Sequence, residues 1–174
     1  MKRILASKHW QLFLLIVITG SWTSPSPLKE IINSISLVTF TIWVYAIGIY
    51  GQEEIKTLGL STSNSKLFRI NALLIPLVTI LILIISIIAP DETDEVTLTW
   101  QKIVFFPMAL YLIFAIFQVA VFACKTLTTI ELKKEVVFND YFLNLILMTI
   151  FLFVGIWILQ PKITRLIYNN STNL

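Results

Sequence analysis

Residues 72–89 read Ala-Leu-Leu-Ile-Pro-Leu-Val-Thr-Ile-Leu-Ile-Leu-Ile-Ile-Ser-Ile-Ile-Ala, eighteen positions without one ionisable side chain. In water, so much Ile and Val would suggest a strand. In lipid the backbone must satisfy its own hydrogen bonds, and a helix does so within one segment. A closed barrel would alternate apolar and polar residues, and this stretch does not. It therefore reads as a membrane-spanning helix.

Four more apolar stretches resemble it. A helix needs roughly 20 mostly apolar residues to cross about 30 Å of hydrocarbon. Residues 4–22, 31–51, 67–89, 103–124 and 141–160 are the segments that approach this length. None has Asp, Glu, Lys, Arg or His at its centre. The 174-residue chain is 57% hydrophobic and 13% charged, with a mean hydropathy of +0.85. Soluble domains carry about 25% charged residues, so the deficit is too large for a soluble core to explain. The expected fold is all-α: a single membrane-embedded domain, residues 1–174, with a bundle of five transmembrane helices. The first segment is the least regular, since Lys8 and His9 interrupt it. Its basic start and short apolar run also fit a signal peptide. Its poor match to a small-x-small cleavage site favours retention.

Charge sets the expected orientation. Lys2, Arg3, Lys8, Lys56, Lys66, Arg69, Lys125, Lys133 and Lys134 fall on one side of a five-span chain. Lys29, Lys102, Lys162 and Arg165 fall on the other. The positive-inside rule then gives N-in and C-out, with the tail Pro161–Arg165 awkwardly basic for an outer segment. Trp22, Trp100 and Trp157 would mark outer interfaces, and Trp10, Tyr50 and Tyr141 inner ones. Trp43 and Tyr111 lie deeper, facing other helices or lipid. A net charge of +3, distributed among membrane loops, is no nucleic-acid signal. The single Cys124 excludes an internal disulfide and a multi-cysteine metal site.

Loops and prolines complete the layout. Residues 23–27, Thr-Ser-Pro-Ser-Pro, predict a tight turn. Gly59 and residues 61–66 predict an inner loop. Pro76 and Pro107 predict kinks, whereas Pro90 and Pro161 predict helix ends. Asn139 or Asp140 suits the cap of the last helix. Residues 125–138 predict an amphipathic extension of the fourth helix, with Leu127, Ile130, Lys134 and Val137 on one face and Glu131 reaching Lys134.

Candidate sites are few. Asp91, Glu92, Asp94 and Glu95 could hold a hard cation loosely, but their spacing matches no calcium loop, and a hydrated acidic turn is the expectation. Ser34, Thr41, Tyr45, Gly48 and Gln52 share one face of the second span. They would either line a narrow polar path or pack helices, the latter at about 0.6 kcal/mol per contact. Asn33, Asn71, Gln118 and Asn144 each need a partner in a neighbouring helix or must reach the headgroups, and Gln118 is expected to face the bundle interior. His9 beside Trp10 reads as an interfacial anchor. Cys124 reads as a small residue at a helix end, with lipidation the alternative. No intramembrane charge suits a proton relay, and no His-Glu-x-x-His, P-loop or Gly-x-Ser-x-Gly occurs. No catalytic, metal or cofactor site is assigned.

Several stretches carry a resemblance: residues 8–15 (Lys-His-Trp-Gln-Leu-Phe-Leu-Leu), 66–70 (Lys-Leu-Phe-Arg-Ile), Phe106-Pro107, 125–136 and 155–163 (Gly-Ile-Trp-Ile-Leu-Gln-Pro-Lys-Ile). With them the chain resembles a group of small five-span membrane proteins from Bacteroidota with no known activity. The resemblance implies a bacterial inner membrane and no site residues. Together these readings lead to the expectation of a non-enzymatic inner-membrane protein, an interaction or accessory subunit of an envelope complex. Its contacts would be inner segments 53–69 and 125–140, and its partners the lipid bilayer and another membrane protein or a second copy. The alternatives are an oligomeric pore or membrane-perturbing effector, and a transporter of a neutral or lipidic substrate.

Overall fold

The computed structural model describes Leu5 and residues 7–19, 28–88 and 95–171. All regular structure among them is helical. Helix α1 (His9–Phe13) passes into a π-helical turn (Leu14–Ile18), and five helices follow: α2 (Leu28–Thr57), α3 (Lys66–Ile88), α4 (Glu95–Leu132), α5 (Phe138–Thr149) and α6 (Leu152–Ser171). The expected turn at 23–27, Trp22, Pro90 and the acidic residues Asp91, Glu92 and Asp94 lie outside the described residues.

Three helices are long and apolar enough to cross a membrane, through Ile31–Thr57, Lys66–Ile84 and Phe106–Leu132. They form the frame. Phe68 of α3 stacks on Tyr45 of α2 and Phe122 of α4, with ring centroids 5.7 and 4.3 Å apart. Gly48 lets that ring approach: a Cβ at Gly48 would lie 2.4 Å from Phe68 Cζ. Nearer the end of α2, Gly51 receives Thr126 of α4 in the same way. The sequence of contacts makes α2 and α4 parallel, with α3 antiparallel between them. Helix α2 stops at Gly59, whose φ of +70° a side chain would strain. The Gly59 N–H donates to Lys56 O and the Leu60 N–H to Ile55 O, the paired bonds of a Schellman motif.

The N-terminal segment packs antiparallel to α2. Ser36 donates to the Ile16 carbonyl. Leu5 sits in an apolar seam with Ile47, Tyr50, Leu127, Ile130 and Ile163. Among the described residues the apolar helix of this segment runs His9–Ile18, and positions 4, 6 and 20–22 of the span expected at 4–22 lie outside them.

The largest departure from expectation is at residues 141–160. They do not form one helix. The ladder breaks at Ile150 and Phe151, both of whose N–H groups donate to Ile146 O. Helix α5 leaves the end of α4 antiparallel to it: Asn144 donates to Thr128 Oγ1 at 2.8 Å and Met148 Sδ meets Cys124 Sγ at 3.6 Å. Helix α6 then returns. Lys162 pairs with Glu131 at 2.8 Å, and Ile163 and Leu166 lie beside Leu127 and Ile130. As one straight helix, residues 144 and 162 would stand about 27 Å apart at 1.5 Å per residue. Instead they touch α4 within one turn of each other. Gly155 permits the fold-back, because a Cβ there would lie 1.9 Å from the Leu147 carbonyl oxygen.

Two more expectations fall with the single fifth helix. Pro161 does not end a helix; α6 runs through it. Trp157, expected at the face opposite His9, packs against it with centroids 4.4 Å apart and the rings tilted by 53°.

Candidate functional site

One end of the frame gathers the C-terminus of α2, the loop to α3, the C-terminus of α4 and both ends of the α5–α6 hairpin. The cations Lys56, Lys66, Arg69, Lys125, Lys133, Lys134, Lys162 and Arg165 all belong to this end, with Lys8 beside Arg165. Lys29 and Lys102 belong to the other. Lys162 and Arg165 thus leave the side expected for them and join the basic end.

A cleft of about 160 Å³ opens at this basic end. It lies where the two inner segments singled out by the sequence meet. Ser61 and Ser63 line it from the α2–α3 loop, Gln52 from α2, Lys125 and Thr129 from α4, and Glu135 from the connector to α5. Gln52 organises it. Its Nε2 donates to Thr126 Oγ1 and its Oε1 accepts from the Ser63 N–H, each at 3.0 Å, so one amide ties two helices to the loop. Thr129 donates back to the Lys125 carbonyl at 2.9 Å, which leaves no hydroxyl proton orphaned in the helix. The Lys125 ammonium is half-buried and makes no ion pair with a described residue.

The connector 133–137 shapes the rim. Helix α4 extends to Leu132, eight residues past the expected end of the span, and burial of Leu127 and Ile130 accounts for the extension. Lys133 then takes φ 50° and turns the chain. The expected Glu131–Lys134 pair does not form. Lys134 lies past that turn and approaches Asp140 at 3.9 Å, while Glu131 takes Lys162. Asp140 also accepts from the Val137 N–H at 3.1 Å, satisfying one of the free donors at the start of α5. Val137, Phe138, Phe142 and Leu143, which follow the connector into α5, are exposed.

The polar stripe of the second span is filled. Thr41 is buried and donates to its own Leu37 carbonyl at 2.8 Å. Tyr45 and Gly48 hold the Phe68 ring between them. Ser34 lies half-buried toward the other end of α2. Gln118 meets its expectation by turning inward: its Oε1 accepts from Asn71 Nδ2 at 3.1 Å, and Tyr111 donates to Asn71 Oδ1 at 2.7 Å. Asn144 is satisfied by Thr128. Asn33 Oδ1 is buried and has no hydrogen-bond partner among the described residues. Cys124 is fully buried against Met148, so it presents no surface thiol for acylation.

A second polar node was not anticipated. Trp43, fully buried in mid-α2, donates through Nε1 to Gln160 Oε1 at 2.9 Å. Gln160 Nε2 donates to the carbonyls of Leu5 and Ser7, both at 2.8 Å, and Thr164 donates to the Leu5 and Gln160 carbonyls. The only signal in the sequence was an amide beside Pro161 at the end of an apolar run. Comparison with known protein families, with curated proteins and with solved structures finds no match.

Proposed function

We propose that the chain is an integral protein of a bacterial inner membrane, with its basic end in the cytoplasm, and that it serves as a non-enzymatic interaction or accessory subunit of an envelope complex. The bundle then has α2, α3 and α4 as full crossings, α1 with its π-helical turn as a fourth, shorter limb, and α5–α6 as a re-entrant hairpin. The positive-inside rule supports this orientation more strongly for a hairpin than for a fifth crossing, because the hairpin brings Lys162 and Arg165 to the basic side. At the hairpin tip Ile150 and Phe151 are exposed and apolar, and both of their N–H groups are taken up by the Ile146 carbonyl, as backbone at membrane depth requires.

The observation that carries the interaction reading is the basic-end cleft. Polar groups deep in the bundle pair with one another, which leaves little for recognition there. The cleft instead combines Lys125, which makes no ion pair with a described residue, with Glu135, Ser61 and Ser63, and the exposed apolar residues Val137, Phe138, Phe142 and Leu143 follow it in the chain. Exposed apolar side chains next to a polar concavity suit a contact surface.

A photo-reactive residue placed at Ser61, Ser63 or Glu135 tests this in intact membranes. Each should give the same discrete cross-linked product, and one at lipid-facing Leu81 should give none. An uncross-linked chain at all three cleft positions contradicts the reading.

A further inference from the structure

On the flank of the bundle away from that cleft, α1 and α6 enclose a groove of about 410 Å³. Lys8, His9, Thr164 and Arg165 line it, with Ser7, Gln160 and Pro161. Lys8 and Arg165 are exposed, and neither forms an ion pair with a described carboxylate. No described acidic residue lines the groove. Its floor is tied down: Gln160 is bonded to Trp43, Leu5 and Ser7, and His9 packs against Trp157 with the rings tilted.

The groove continues directly into an apolar surface. Phe13 meets Phe153 edge-on at 4.8 Å and Trp157 at 5.9 Å. Trp10, Leu14, Phe153, Trp157 and Ile158 are all more than two-fifths exposed beside it. Cations gathered above exposed aromatic and aliphatic side chains match one ligand class, a molecule with an anionic head and hydrocarbon tails. Indole rings at the junction suit the headgroup boundary, and basic pockets between helices on the cytoplasmic side bind anionic lipid heads.

We infer that this groove is a site for an anionic phospholipid, its phosphate held between Lys8 and Arg165 and its chains laid along α1 and α6. The inference rests on the membrane reading above. It adds an outer contact to the N- and C-terminal segments, which Leu5, Leu12, Ile16, Ile156 and Ile163 already tie to the core. A lipid bridging Lys8 and Arg165 would hold those two segments together from outside, as Gln160 does from inside.

The test uses the full chain in mild detergent. Phosphatidylglycerol, phosphatidylcholine and inorganic phosphate are titrated separately, and bound species are counted by native mass spectrometry. Phosphatidylglycerol should be retained over phosphatidylcholine. Each cation near an anionic lipid surface contributes roughly fivefold to such binding, so K8Q and R165Q should each lower phosphatidylglycerol retention by about that factor. The K133Q control, an exposed cation outside the groove, should leave retention unchanged. Equal retention of both lipids, an equal loss in K133Q, or complete displacement by inorganic phosphate overturns the lipid site. Release of the wild-type chain from membranes by alkaline carbonate would instead overturn the membrane reading, so the two failures are distinguishable.

Discussion

Gln160 concentrates three segments of the chain on one side-chain amide. Its oxygen takes the Trp43 indole and its nitrogen serves two carbonyls of the N-terminal segment. An interhelical hydrogen bond in a membrane protein is worth only about 0.6 kcal/mol on average, because the unfolded chain also finds partners. Leaving a buried donor or acceptor unmade costs more, about 1–3 kcal/mol. The second term decides here, since Gln160 and Trp43 are both almost wholly inaccessible. Gln160→Leu should therefore destabilise the fold by roughly 3 kcal/mol, against about 1 kcal/mol for Trp43→Phe, which leaves only an acceptor behind. Denaturation in mixed SDS micelles reads both. Equal, small losses would mean that the node contributes little. The apolar pattern around Gln160 was legible in the sequence, but its partner was not: residues 117 and more positions away carry no local signal.

At the scale of elements, helix type and the three long crossings were legible because lipid leaves the backbone few choices and the apolar runs are continuous. The break in 141–160 was not. Phe151-Leu152-Phe153-Val154 is as apolar as any span, and Gly155 alone looks like an ordinary packing glycine. Its role follows from tertiary contact, where the Leu147 carbonyl occupies the space a Cβ would fill. The neighbour is backbone, which cannot rotate away as the Phe68 ring can at Gly48. Gly155→Ala should thus be the more damaging substitution, by at least about 1–3 kcal/mol of overpacking, while Gly48→Ala is absorbed in part by ring movement. Thermal unfolding in detergent separates them; a Gly155→Ala protein as stable as wild type would count against a tight hairpin. The positive-φ turn at Lys133 was equally hidden, since a lysine gives no warning of a left-handed backbone.

For the whole molecule, charge and topology now agree. Eight described cations sit on the loops and helix ends at one end of the bundle and Lys8 joins them at the groove, while Lys29 and Lys102 remain at the other end. The sequence reading placed Lys162 and Arg165 outside because it took residues 141–160 as a crossing. Its own discomfort with a basic outer tail was the one visible sign of the hairpin. The central claim is that α5–α6 turns back and leaves the C-terminal residues on the side of the 58–65 loop. Substituted-cysteine labelling tests it most directly, in a Cys124→Ala background, with a membrane-impermeant maleimide applied to right-side-out and inverted vesicles. Cysteines at Thr62, Glu135 and Arg165 should react together in inverted vesicles, and one at Lys29 only in right-side-out vesicles. An Arg165 cysteine that labels with Lys29 rather than with Thr62 would contradict the account.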